Sequence, residues 1–129
     1  MKTLRVVAAI IEKDEKILIA QRLKGEFAGL WEFPGGKIEE GETPEQALIR
    51  EIEEEFDTEL NIEKYLTTVE HQYDSFYLIM DCFICTIKTG DLILHDQMAY
   101  RIIDPKESDI DWVPADVKVI NSYKEYKGI

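Results

Sequence analysis

Cysteine is scarce in this sequence. Only Cys82 and Cys85 occur, in YLIMDCFICTIK, a segment that reads as a strand. Residues three apart in a strand point to opposite faces, so this pair can neither chelate a metal nor close a disulfide. With no second Cys/His pair at zinc-site spacing, the two are read as small strand hydrophobes. Long apolar runs are missing as well: VVAAII at Val6 to Ile11 is far too short to cross a bilayer. The start MKTLRV lacks a signal-peptide apolar region with a small-residue cleavage site, and the expected location is cytoplasmic, away from membranes. Basic residues are outnumbered, with a formal net charge of -12 and no Lys/Arg stripe, which argues against a nucleic-acid polymer as partner. No internal repeat, low-complexity tract or Pro/Gly-rich linker interrupts the chain, so residues 1–129 are expected to form a single domain.

The elements that are present alternate in type. Leu4 to Ile11 is a β-branched run fit for a buried strand, and Lys16 to Arg22 follows after KDE, predicting a hairpin. LWEFPGG reads as a short aromatic strand ending at a proline and two glycines. Tyr65 to Tyr73 and Phe76 to Ile87 read as strands joined by a turn at DS, with a further short strand at Leu92 to Leu94. Met98 to Ile103 is a strand or loop end, and Pro114 opens a C-terminal helix. Strands, helix, strands, helix is the order of an α/β fold with a mixed sheet between helices.

Acidic residues are abundant, and the stretch from Gly35 to Phe56, GGKIEEGETPEQALIREIEEEF, gathers many of them. Thr43 is a good N-cap, Pro44 suits the first helical position, and Gln46 completes a capping box. At 100° per residue Leu48, Ile49, Ile52 and Phe56 fall within one arc of roughly 100° and predict the core face. Gln46 and Glu53 fall on the solvent side. A third arc holds Arg50, Glu51, Glu54 and Glu55, with Ala47 at its middle. Glu51, Glu54 and Glu55 are helix neighbours of like charge, a repulsion of about 0.2–0.5 kcal/mol per pair that a cation would reverse. Hard divalent ions, magnesium in particular, take carboxylate and carbonyl oxygens together with substrate phosphates. Gly35 and Gly36 permit close backbone approach to an ion or phosphate. On spacing alone two readings stand, a metal cradle and a solvated glutamate face.

From Gly36 the sequence runs five residues to Glu42, seven more to Arg50, then Glu51-Ile52-Glu53-Glu54-Glu55. This resembles the Nudix box, the motif of hydrolases acting on a nucleoside diphosphate linked to another group. LWEFPGGKIEEGETPEQAL is similar to the MutT-like branch. The resemblance implies a Nudix-type α/β/α sandwich and metal-dependent hydrolysis of a (deoxy)nucleoside triphosphate to the monophosphate and pyrophosphate, with Mg2+ or Mn2+ as cofactor. It implies that Glu51, Glu54 and Glu55 bind metal, that Gly35 and Gly36 form the carbonyl-donating loop, and that Arg50 orients the carboxylates. Glu42 would tether loop to helix, Lys37 and Arg22 would contact phosphate, and Asp96 in LHDQMAY would be an additional catalytic acid or an ordinary turn residue. The box pattern ends in glycine and an aliphatic residue, where this chain has Asp57 and Thr58. A left-handed C-cap is expected there, a conformation that Asp tolerates better than most residues.

For the base, Trp31 and Phe33 alternate along the aromatic strand and share a face. Phe33 is the candidate for base stacking, with core packing the alternative. WVPADVKVI resembles the family segment that sets an Asn or Asp against the base edge, here Asp116. An Asp accepts from an amino group when ionised and donates when protonated, which suits cytosine and also serves oxidised guanine. The other reading of Asp116 is a helix-start acid favoured by the dipole. GLWEFPGGK together with PAD is similar to bacterial CTP or modified-dCTP pyrophosphohydrolases. The alternatives are 8-oxo-dGTP hydrolysis, another linked nucleoside diphosphate, or a non-catalytic nucleotide-binding module, which would be expected to lose box acids that this chain keeps.

Overall fold

Alternation within VVAAII sorts its side chains onto two faces, and both faces are buried. The structure is a computed structural model that describes residues 2–95 and 97–129. Strand β1 (Lys2–Lys13) lies centrally, parallel to β6 (Phe76–Gly90) from Lys2↔Phe76 to Ile11↔Cys85. On β6's other side β5 (Thr58–Gln72) runs antiparallel. The far end of β1 turns into β2 (Lys16–Arg22), which carries β3 (Trp31–Glu32) and β7 (Gln97–Ile103) as antiparallel neighbours. One parallel pair among antiparallel ones makes the sheet mixed, as expected from the order of elements.

Two helices cover the two faces. Val7, Ala9, Ile11, Phe83 and Cys85 pack with Leu48, Ile52 and Phe56 of α1 (Pro44–Phe56). Ala8, Ile10, Met80 and Cys82 pack with Val119, Ile120 and Tyr123 of α2 (Pro114–Lys127). The two cysteines therefore sit in opposite cores, both buried and free, as strand geometry requires. Burial pushes the Cys85 thiol up to about 12.

Several expectations change in detail. Gly35 and Gly36 do not end a strand; with Lys37 they form one, β4 (Gly35–Lys37), antiparallel to β1. The backbones approach so closely that a Cβ on Gly35 would overlap the Val7 carbonyl. Strand β5 starts at Thr58, directly after the helix, rather than near Tyr65. Residues Leu92 to Leu94 form no strand, because Leu92 has φ 23° and its N–H donates to the Thr58 hydroxyl at 3.1 Å. The Ile93 N–H goes to the Phe56 carbonyl at 2.8 Å, so this segment docks on the helix end rather than on a ladder. In α1 the fully buried fourth residue is Ala47, and Ile49 is only partly buried. The small side chain faces the sheet where the helix approaches it, and the larger one is displaced to the rim.

Helix α1 begins and ends as its sequence predicts. The Thr43 hydroxyl accepts the Gln46 N–H at 3.1 Å and the Gln46 side chain accepts the Thr43 N–H at 3.0 Å. Asp57 takes the left-handed C-cap at φ 52° and donates its N–H to Glu53. Because this helix holds the acidic face in place, its cap should matter measurably. Thr43→Ala is expected to lower stability by about 1 kcal/mol; urea unfolding should show a lower midpoint at unchanged slope.

Candidate active site

A cavity of about 570 Å³ opens between α1, β4, the start of β1 and the tip of the β5–β6 hairpin. One end is lined by Gly35, Gly36, Lys37, Glu39, Glu51 and Glu55. The other end is lined by Phe27, Phe33, Tyr73, Phe76 and Asp116, with Arg22 and Glu32 beside them. Residues far apart in the chain thus share one acidic and aromatic hollow.

Arg50 organises the acidic end. Its Nε and Nη2 donate to the two oxygens of Glu42 at 2.7 and 2.9 Å, a bidentate fork. Its Nη1 reaches Glu51 at 2.8 Å and Glu54 at 3.3 Å, and Nη2 also donates to the Lys37 carbonyl at 3.0 Å. Glu42 accepts the Glu39 N–H at 2.9 Å, closing the loop between β4 and α1. Glu42 thus links the loop to α1 through Arg50, and Arg50 touches Glu51 and Glu54. The Glu42 carboxyl is held down at about 2, first by the hydrogen bonds from Arg50 and then by the Glu39 N–H. Arg50 is raised above its ordinary range, chiefly by Glu42.

The acids divide by position. Glu51 and Glu55 line the cavity, whereas the Glu54 side chain is 61% exposed on the adjoining face. Gly36 lies against the Glu51 carboxylate so closely that any Cβ would overlap it, leaving backbone and carboxylate oxygens facing the same space. Among the described residues no three acid or imidazole side chains already close on one point. One Arg50 nitrogen, Nη1, is shared between Glu51 and Glu54. The donor set still suits a hard divalent ion: carboxylate oxygens on one helix face, backed by backbone that only glycine permits. Asp96, the candidate additional acid, lies outside the described residues.

At the aromatic end Asp116 is 4% exposed and its Oδ2 accepts the Phe33 N–H at 2.8 Å. Its carboxyl thus bonds the amide of the residue that follows β3, from the first turn of α2. Burial raises its pKa well above the ordinary range, and nearby Glu32 adds to this; the Phe33 N–H and Arg22 oppose it. Phe33 is buried and stacks on Trp112 with ring centroids 5.1 Å apart. Trp31 belongs to the same cluster but packs away from the cavity, under the Arg101 guanidinium. Arg22 pairs with Glu32 at 2.9 Å, and its buried Nε has no partner. Lys37 is on the cavity wall at the acidic end.

Sequence reasoning missed Phe27, Glu32, Tyr73 and Phe76. Tyr73 and Phe76 bracket the DS turn, and their flanking of a hairpin tip is the one signal that marked them. Glu32 lay in plain view inside WEF, but only the fold turns it toward Arg22 and Asp116.

An α/β/α sandwich with this acidic helix at the mouth of an aromatic cavity is the architecture of a known hydrolase family. The NUDIX domain model matches residues 1–123, and the chain belongs to the Nudix family. It is 36% identical over 125 residues to the CTP pyrophosphohydrolase of Escherichia coli K12, covering 95% of this chain and 93% of that protein. It is 42% identical over 87 residues to the 8-oxo-dGTP diphosphatase of Proteus vulgaris, covering 66% and 78%. Among solved structures the E. coli ORF135 protein matches with a TM-score of 0.85 at 34% identity, covering 98% of this chain and 92% of that one. A MutT NUDIX hydrolase from Burkholderia pseudomallei shares the fold at a TM-score of 0.85 and 23% identity, covering 95% and 98%.

The Glu42 fork generates a pH prediction. A carboxyl lowered from 4.5 to about 2 contributes stability above its unfolded value, and that contribution is lost as pH falls through about 2. Glu42→Gln should therefore unfold at lower urea than the wild type at neutral pH. The gap between the two midpoints should narrow steadily below about pH 4.5.

Proposed function

We propose that this protein is a metal-dependent pyrophosphohydrolase of (deoxy)nucleoside triphosphates, with magnesium as the working ion and a cytosine-type base as the preferred one. Water is added across the bond between the α and β phosphates, leaving the nucleoside monophosphate and pyrophosphate. The observation that carries this reading is the single cavity that joins an acidic helix face to an aromatic pocket closed by Asp116. Polyphosphate fits the first end only with a cation present, and a base fits the second.

Glu51, Glu54 and Glu55 would hold the ion, with backbone oxygen from Gly35 or Gly36. Bound there, it supplies charge neutralisation of the polyphosphate and a lowered pKa for a coordinated water. The chain's own groups do the rest. Arg50 fixes the rotamers of Glu51 and Glu54 so that their oxygens are ready at fixed positions. Glu42 fixes Arg50 in turn. Lys37 gives the phosphates a mobile cation at the acidic end. Arg22, already balanced by Glu32, adds orientation more than net charge. Asp116 reads the base edge with the oxygen not engaged by Phe33, and the Phe33–Trp112 stack supports the pocket from behind.

The similarity to the E. coli CTP pyrophosphohydrolase over nearly the full length of both chains favours cytosine. Oxidised guanine is the second reading, favoured by the similarity to the Proteus vulgaris 8-oxo-dGTP diphosphatase over a shorter span.

The test is pyrophosphate release from canonical, methylated, hydroxylated and oxidised nucleoside triphosphates, with magnesium and with chelator. Release is expected to require the ion and to be fastest with cytosine nucleotides. Glu51→Gln and Glu54→Gln should each lose about 100-fold or more, and Arg50→Gln about 10- to 100-fold. Full turnover by both glutamate variants would end the reading of α1 as the metal-holding element.

A further inference from the structure

Tyr73 is the hub of the cavity's aromatic end. Its ring lies 5.1 Å from Phe27, 4.9 Å from Phe76 and 4.5 Å from His71, measured between ring centroids. Three chain segments meet there: the loop after β2 with Phe27, the start of β6 with Phe76, and the end of β5 with His71. The tip itself is pinned, with the Tyr73 N–H donating to the Phe76 carbonyl at 2.9 Å. The Gln72 side-chain amide donates to the carbonyls of both Tyr73 and Phe76, at 2.7 and 3.2 Å. Such a turn holds its aromatic pair in register without help from a ligand.

The hydroxyl is fixed as firmly as the ring. It accepts the Ala115 N–H at 3.0 Å, from the residue immediately before Asp116. That bond occupies a lone pair and leaves the O–H proton to donate, and no described side chain or carbonyl is bonded to it. Desolvation raises the Tyr73 hydroxyl above its ordinary range, with Asp116 and Glu32 adding to the shift, so it is a neutral donor at physiological pH.

We propose that Tyr73 sets base selectivity: its hydroxyl donates to an acceptor on the base edge beside the amino group that Asp116 takes, and its ring, packed on Phe27 and Phe76, fixes where that hydroxyl sits. This rests on the proposed nucleotide activity and narrows it. The paired groups select an edge with an exocyclic amino group next to a ring-nitrogen acceptor, as in cytosine. A uracil-type edge presents a carbonyl and a ring N–H in the reverse order, and leaves both protein groups mismatched.

The experiment compares wild type, Tyr73→Phe and Tyr73→Leu on dCTP, dUTP and an abasic deoxyribose triphosphate. Calorimetric binding of dCMP and dUMP is run in parallel. Tyr73→Phe should lower the dCTP-to-dUTP ratio of kcat/KM by about 3- to 10-fold, the worth of one neutral hydrogen bond. The loss should fall on dCTP and leave the abasic substrate unchanged, while Tyr73→Leu raises KM for both nucleotides. Because a ratio is read, a smaller folded fraction in either variant does not alter it. An unchanged ratio in Tyr73→Phe overturns the proposal. If no triphosphate is hydrolysed at all, the proposed activity fails, and the dCMP-to-dUMP binding ratio still decides the role of Tyr73.

Discussion

Among the described residues Arg50 is the one cation paired with Glu39, Glu42, Glu51 and Glu54, at 3.4, 2.7, 2.8 and 3.3 Å. Without it those acids would repel one another across a loop and two turns of one helix. Each contact alone is a partly exposed ion pair worth little. Together they form a network whose value is geometric: one guanidinium ties the loop between β4 and α1 to the helix and contacts two carboxylates of α1. A bidentate guanidinium can do this and a lysine cannot, because only a planar fork satisfies both oxygens of Glu42 while still reaching along the helix. The negative face tolerates itself because this charge is built into it.

The glycine pair contributes the second constraint. A side chain on Gly35 would meet the backbone of β1, and one on Gly36 would meet Glu51. Strand β4 is thereby pressed between the central strand and the acidic helix, with no side chain to fill the gap. The close packing that orders Glu51 is the same packing that closes the cavity's floor. Local backbone choice, sheet registry and site chemistry are thus settled at one pair of residues.

The aromatic end follows a different principle, one of polar groups tied to backbone amides across the fold. Asp116 reaches across from α2 to the Phe33 amide, and Tyr73 reaches from the hairpin tip to the Ala115 amide. These two bonds lock α2, the β5–β6 tip and the aromatic strand into one wall. Because Asp116 is buried, breaking its bond to Phe33 would leave a carboxyl with no water to turn to.

What the sequence determined by itself was local and periodic. The capping box at Thr43 and Gln46, the left-handed Asp57 cap, the opposed cysteines and the acidic arc of α1 were all legible, because helix and strand periods fix which residues are neighbours within an element. Tertiary structure decided what lay between elements. The glycines read as a strand's end and proved to be a strand, since their pairing partner on β1 lies far back in the chain. Leu92 to Leu94 read as a strand from apolar content, yet their amides are taken by Phe56 and Thr58. Ala47 took the core position read for Ile49, because which arc of a helix meets the sheet is decided by how the helix docks. Phe27 and Glu32 carried no pattern of their own, and Tyr73 only its place beside a hairpin turn; they became part of a site only when the hairpin tip, the loop after β2 and the start of α2 were brought to one place.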